Sequence, residues 1–393
     1  MSLSVSERVK RVKPSPTMAV TALAAELRAA GRDIIGLGSG EPDFDTPQHI
    51  KDAAIEAINA GQTKYTQVDG TPELKQAIIN KFQRDNELTY APDQILVSSG
   101  GKHSCFNICM AILNDGDECI IPAPYWVSYP DMVLLAGGKP VTVLAGIDQG
   151  FRITPEQLEA AITDRTRLMF FNSPSNPTGA AYTRAELESL GDVLRKHPKV
   201  VIATDDMYEH IYWADEPFAS FAQVCPDLYD RTVTLNGVSK AYAMTGWRIG
   251  YCGGPVEIIK AMKKIQSQST SNPTSISQAA SVAALNGDQS CVQEMLKAFR
   301  ERRNYLVAAL NDINGVSCVE GAGTFYTFPD ISAAMEAKGC SEDTQFSELL
   351  LNEAEVAIVP GSAFGAPGYT RFSFATSMDV LEEAIRRIGE LLG

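Results

Sequence analysis

A chain of 393 residues is longer than one hydrophobic core usually serves, so two domains are expected. Apolar residues at 45% and charged residues at 21% are the proportions of a folded globular protein and exclude a disordered one. A formal charge of −14 excludes the basic surface needed to displace counterions from a nucleic acid duplex.

Eight scattered cysteines with no Cys-x-x-Cys pair, and only four histidines, leave no zinc spacing, so no metal site is expected. Unpatterned thiols in a chain of this size fit a reducing, cytoplasmic setting better than a disulfide framework. The N-terminal residues lack the apolar run of a secretory signal, and no segment approaches the roughly 18 apolar residues of a membrane span.

In chain order, residues 17–30 read as an amphipathic helix and 33–38 as a short strand ending at Gly38-Ser39-Gly40-Glu41-Pro42, a sharp turn where backbone can approach a ligand. Thr46 is the expected N-cap of a helix running to about Ala60, with Pro47 at its first position, and Thr71-Pro72 opens another to Asp85. Strands and helices then alternate. Strands are predicted over 95–99, 118–122, 139–144, 167–172, 200–205 and 232–236, with helices over 102–113, 154–163 and 183–196. Such units predict an α/β fold, a parallel-rich sheet covered on both faces with ligand loops at the strand C-termini. After Gly254-Pro255 come helices at 255–268, 273–286 and 289–312, the last able to bridge two domains. Strands at 324–328, 356–359 and 370–374 complete a smaller α+β domain.

Residues able to do chemistry lie on the loops. Gly100-Gly101-Lys102 joins a strand to a helix N-terminus, where free backbone N–H groups and the helix dipole favour phosphate. No Gly-x-Gly-x-x-Gly or Walker motif accompanies it. Trp126 reads either as a cover for a flat aromatic cofactor or as a core aromatic. Asn176 before Pro177 is presented from a rigid turn, and a cis bond at Pro177 is one option there. Asp205 ends an apolar strand, where a carboxylate needs a cationic partner such as a pyridinium N–H; Tyr208 follows within reach of the same ring. Lys240, in a loop after a buried strand, can lose solvation and become nucleophilic toward a carbonyl, and Arg248 can hold a phosphate.

These residues together resemble the fold-type I pyridoxal phosphate-dependent aminotransferases of class I/II, and within them the bacterial aspartate aminotransferase subgroup that includes enzymes accepting prephenate. The resemblance runs through Gly40-Glu41-Pro42-Asp43-Phe44, Lys64-Tyr65-Thr66, Gly101-Lys102, Tyr125-Trp126, Asn176-Pro177-Thr178-Gly179, Asp205 with Tyr208, Ser239-Lys240, Gly246-Trp247-Arg248 and Arg371. It implies a large domain, residues 45–290, with a mostly parallel seven-stranded sheet between helices. A small domain, 291–393, and an N-terminal segment, 1–44, packing with it complete the expected architecture.

The resemblance also implies roles. Lys240 forms the Schiff base with pyridoxal phosphate and carries the proton leaving the substrate α-carbon. Asp205 pairs with the ring nitrogen, Asn176 and Tyr208 with the ring oxygen, and Trp126 stacks on the ring. Arg248, Ser239 and the backbone of Gly101 and Lys102 hold the phosphate, joined by Tyr65 from the second subunit of a homodimer. Arg371 grips the α-carboxylate, helped by Asn176 and the Gly40 backbone.

Two departures from the better-known animal and enterobacterial subgroup stand out. No arginine occurs between Arg248 and Arg300 to read a distal carboxylate; the resemblance to the bacterial subgroup implies Lys102 and a residue near Ser15, expected to be Ser15 itself, in that role, with Lys13 or Lys102 facing the ring carboxylate of prephenate. Position 237 is glycine instead of serine, and the resemblance leaves Ser239 as the expected substitute for its phosphate contact. The implied reaction is amino transfer between aspartate and 2-oxoglutarate. Aromatic amino acids, alanine and prephenate remain open as other substrates, with a lyase or a cofactor-sensing regulator domain as more distant readings.

Overall fold

The computed structural model describes residues 3–14 and 16–393. Twelve strands follow in chain order. They are β1 (Ile35–Gly36), β2 (Ile95–Ser98), β3 (Glu118–Ala123), β4 (Lys139–Leu144), β5 (Thr166–Asn172), β6 (Val201–Asp205), β7 (Thr232–Gly237), β8 (Gly250–Gly253), β9 (Tyr326–Thr327), β10 (Val356–Ala357), β11 (Val359–Pro360) and β12 (Thr370–Ser373). Seven of them form one sheet in the order β2-β8-β7-β6-β5-β3-β4.

Residues of β5 alternate between two cores, which is what a strand buried on both faces requires. Leu168 and Phe170 pack with Ile108, Met132 and Val133 from the helices Gly101–Ile112 and Ser128–Leu135. Met169 and Phe171 pack with Leu187, Leu190 and Leu194 of the helix Arg184–Arg195 on the other side. Each such side chain contributes about 1.5–3 kcal/mol by leaving water. The helix starts are fixed locally: Thr71 Oγ1 accepts from Leu74 N, and Thr183 with Glu186 forms a capping box.

Strand β8 is absent from the sequence expectation, and it is the antiparallel member of the sheet, pairing with both β2 and β7. Its residues, Gly-Tyr-Cys-Gly, carry no β-branched side chain, so no propensity announces it. Its antiparallel course sets Gly250 opposite Ser98 and Gly237, at the edge where the parallel strands end.

The long helix Ser290–Asn311 links the two halves. Val292 packs in the cluster with Ile50 and Leu74, whereas Phe299, Leu306 and Leu310 pack with Phe325, Phe372 and Phe374. Strands β11, β12 and β9 form an antiparallel sheet in that second region, and β1 pairs with β10. The N-terminal helix Pro16–Ala29 lays Ala24 against Leu351 and Ala357 of the same region.

Two local expectations are corrected. Thr46 does not cap its helix, which runs Gln48–Asn59 with Pro47 at the N-cap; its hydroxyl donates to Ala243 O and accepts from Trp247 Nε1, stapling that loop to the Lys240 segment. The cis peptide bonds precede Pro124 and Pro174, and the bond before Pro177 is not among them. No helix among the described residues is long and apolar enough to cross a membrane.

Candidate active site

The C-terminal ends of β2, β3, β5, β6 and β7 and the N-terminal end of β8 meet along one edge. The strand order therefore gathers Gly100, Trp126, Asn176, Asp205, Lys240 and Arg248 from segments far apart in sequence. Lys240 is half-buried. Its Nζ donates to the Gly40 carbonyl at 2.5 Å and lies 5.9 Å from the Tyr208 ring centroid. Burial, with the positive charges of Arg371 and Arg248, lowers its pKa to about 8. About a tenth of the amine is thus uncharged at pH 7, far more than for an ordinary lysine, and available as a nucleophile or base.

Asp205 is buried at the end of β6. Tyr129 Oη donates to its Oδ2 at 2.5 Å and Met207 N to its Oδ1 at 3.3 Å. Burial raises its pKa against these hydrogen bonds. No Lys, Arg or His among the described residues forms an ion pair with it. A carboxylate in that state is poised for a cationic ligand.

Arg371, on β12, is only 2% exposed. Its guanidinium donates to Asn176 Oδ1 at 2.9 Å and to Gly38 O at 2.8 Å, and lies 4.3 Å from the Tyr326 ring centroid. Its Nε has no partner among the described residues. The Tyr326 hydroxyl pairs with that of Tyr208 at 3.2 Å. These contacts pre-set the fork for a planar, bidentate anion such as a carboxylate.

The third part is a close-packed glycine cradle. Gly100 takes φ +90°, and a Cβ there would meet the Arg248 guanidinium at 2.2 Å; one on Gly250 would meet Gly101 N at 2.2 Å. The backbone at the start of the helix Gly101–Ile112 is thereby bared beside an exposed Arg248, whose Nη1 is steadied by Thr245 O at 2.8 Å. That combination suits a phosphate. Ser239 is buried next to Lys240 in chain order, and exposed Lys102 lies 5.1 Å from the Trp126 ring centroid.

Residues 32–388 match the model of the aminotransferase class I and II family. The chain belongs to this family. A relative from Nitrosomonas europaea described as an aspartate/prephenate aminotransferase is 61% identical over 99% of this chain and 100% of its own. One of the same description from Cereibacter sphaeroides is 59% identical over 98% of this chain and 97% of its own. Among solved structures, the aspartate aminotransferase of Rhizobium meliloti superposes with a TM-score of 0.95 at 50% identity, covering 100% of this chain and 99% of that one. That of Thermus thermophilus with maleate gives 0.93 at 43% identity, covering 99% and 100%. The aminotransferase fold is of type I, and the enzyme is pyridoxal phosphate-dependent.

Of the residues singled out in the aminotransferase sequence, Tyr65 is not in this group: it is 91% exposed. Ser15 lies outside the described residues. Four participants escape sequence reading. Tyr129 holds Asp205, Tyr326 supports Arg371 and Tyr208, and Phe364 lies 5.0 Å from Arg371. Asn172 donates to Asp205 O and accepts from Asn176 N, joining the β5 and β6 ends. Only Tyr129, three residues after Trp126 and in the first turn of the helix Ser128–Leu135, carried a usable signal.

Proposed function

We propose that the protein transfers the amino group of L-aspartate to 2-oxoglutarate, giving oxaloacetate and L-glutamate in two half-reactions at one site, and that prephenate is a further oxo-acid acceptor. The observation that carries this reading is the convergence of Lys240, Asp205 and Arg371, close enough for the charges of the other two to act on the amine: a softened amine, a buried carboxylate without an ion-pair partner, and a braced guanidinium. Pyridoxal phosphate, when bound, supplies an electron-withdrawing ring that makes the substrate α-carbon acidic.

The chain's own groups fit that cofactor. The unpaired charge of Asp205 suits a protonated ring nitrogen, and Tyr129 orients the carboxylate for it. Because Asn176 Oδ1 is taken by Arg371, its amide N–H₂ is left to donate to the ring oxygen, with the Tyr208 hydroxyl as the other donor. Gly101 N, Lys102 N, Ser239 and Arg248 would hold the phosphate, and Trp126 would cover the ring. Lys240 would hold the cofactor, and its Nζ, when free, would take the proton from the substrate α-carbon. The Gly40 carbonyl holds that nitrogen in the meantime.

Arg371 and Asn176 bind the α-carboxylate, with the Gly40 backbone alongside. Lys102, exposed at the mouth, reads the distal carboxylate with Ser15. The names of the relatives from Nitrosomonas europaea and Cereibacter sphaeroides support the substrate pair. Tyr65 serves the phosphate of a second copy in a homodimer. Its exposure supports this, as does that of Ile55 and Ile58 just before it, at 53% and 51%. The enzyme works in the cytoplasm, in keeping with eight free thiols.

The test is a panel of amino donors against 2-oxoglutarate and prephenate, with oxo-acid product quantified. Aspartate is expected to react with both acceptors. Absence of aspartate turnover with either would remove the substrate assignment.

A further inference from the structure

A second group of ionisable side chains lies in the interior, outside the residues assigned above. Lys81, on the helix Pro72–Asn86, is wholly buried, and its ammonium contacts Glu209 Oε1 directly. It also donates to Asn86 Oδ1 at 2.7 Å. Glu209 is closed in further: Asn86 Nδ2 donates to Oε2 and Asn236 Nδ2 to Oε1, both at 2.7 Å. Burial opposes the carboxylate, but Lys81, His210 and the Asn86 amide outweigh it and hold its pKa down at about 2. His210 Nε2 stands 3.4 Å from both Glu209 Oε1 and Asp85 Oδ2.

Asp85, Glu209 and His210 are spaced closely enough to hold a metal ion. The Lys81 ammonium argues against it, because it already supplies the positive charge at Glu209 and would repel another cation. Nor is stability a sufficient reason for the pair, since apolar side chains of equal volume often serve a core as well.

What the cluster does have is reach. Glu209 directly follows Tyr208 and lies four positions after Asp205; Asn236 lies four positions before Lys240. Asn236 Oδ1 accepts from Gly237 N at 2.7 Å, so the side chain that holds Glu209 also shapes the end of β7. One buried carboxylate therefore joins the turn bearing Asp205 and Tyr208 to the strand end that leads into Lys240. Lys81 fixes that carboxylate from a third element.

We propose that Lys81, Glu209 and Asn236 are positioning residues: a buried brace that sets the distance and angle from Lys240 to Asp205 and Tyr208. The inference rests on the assignment of Lys240 as the cofactor-bearing lysine.

The test uses the holoenzyme and the double variant Lys81→Met/Glu209→Gln, which removes both charges, keeps the bulk and leaves neither ion unpaired. Measured are the pH midpoint of the visible band of the lysine-bound cofactor, the single-turnover rate with aspartate, the half-saturating aspartate concentration, and the thermal midpoint of the cofactor-free protein. The brace predicts a band midpoint moved by about half a pH unit or more and a rate lowered about tenfold, with half-saturation changed less than about threefold. A folded double variant with unchanged band and rate overturns the proposal. Should the double variant fail to fold, Asn236→Ala decides, because it removes the amide that joins Glu209 to the end of β7 and leaves the Lys81–Glu209 pair in place; an unmoved band there overturns the proposal equally. An unmodified protein with no visible band, or a Lys240→Ala variant that keeps it, sinks the Lys240 assignment and the brace together. A normal band in the unmodified protein with unresponsive brace variants sinks the brace alone.

Discussion

The Arg371 guanidinium donates to Asn176 Oδ1 at 2.9 Å although the two residues lie 195 positions apart. The contact sets the plane of the fork and uses the only acceptor of the Asn176 amide. Lysine at 371 keeps a charge but has no planar fork, and charge-assisted hydrogen bonds are worth about 1.5–3 kcal/mol each. Arg371→Lys is expected to raise the half-saturating concentrations of aspartate and 2-oxoglutarate about ten- to hundredfold. Steady-state titration of both substrates measures this; unchanged values would place the α-carboxylate elsewhere.

Lys240 bears on stability as well as chemistry. Its pKa in the cofactor-free protein is lowered to about 8 from the ordinary lysine value of 10.5. Below pH 8 the amine is protonated in both states, and the fold carries the full cost of a desolvated charge. Between about pH 8 and 10.5 the unfolded chain binds more proton than the folded one, so stability rises with pH. Cofactor-free Lys240→Met is therefore expected to be more stable than the unmodified protein at pH 7, with the difference shrinking toward pH 10. Denaturant midpoints at both pH values decide the point.

Asp205 shows the opposite sense. Burial raises its pKa, and the Tyr129 hydroxyl at 2.5 Å opposes the rise. A carboxyl raised in the fold costs stability where it is ionised, above its folded pKa, and costs little below its ordinary value of 3.8. Tyr129→Phe keeps the stack on Phe170, with ring centroids 4.6 Å apart, and removes only the hydrogen bond. It is expected to destabilise the cofactor-free protein by about 1.5–3 kcal/mol at pH 7, and by less near pH 4. A pH-independent loss would show that the hydrogen bond does not discriminate between the two forms of Asp205.

Lys102 is the candidate for reading a distal carboxylate. Lys102→Ala is expected to raise half-saturating aspartate about fivefold while leaving phenylalanine or tyrosine within about twofold. A parallel loss for both kinds of substrate would shift the role of Lys102 toward the phosphate.

For Tyr65, hybrids of a Tyr65→Ala copy and a Lys240→Ala copy discriminate between subunits. If Tyr65 works in trans, one site of each hybrid has both residues intact and binds cofactor with unmodified affinity. If Tyr65 works in its own chain, no site in the hybrid is intact and tight binding disappears.

Much of this was legible in the sequence because chemistry and punctuation coincide there. Asp205 ends a run of apolar residues, Gly100-Gly101 precedes a helix, and Lys240 and Arg248 flank one loop. What escaped depends on contacts across the chain. Tyr326 meets Tyr208 over 118 positions, and no local pattern marks it as more than a core aromatic. Strand β8 contains two glycines and is held by its neighbours instead of by propensity. Its antiparallel course is nonetheless what sets Gly250 against Gly101 and carries Arg248 to the cradle. Glu209 reads as one more acid after Asp205 and Asp206 until the fold sets Lys81 against it.

The most direct measurement is the absorbance spectrum of the purified, cofactor-loaded protein before and after aspartate, beside Lys240→Ala. The account predicts a visible band that aspartate shifts to the spectrum of the aminated cofactor, that 2-oxoglutarate restores, and that the variant either lacks or cannot cycle. No visible band with saturating pyridoxal phosphate, or a Lys240→Ala protein that cycles normally, would contradict it.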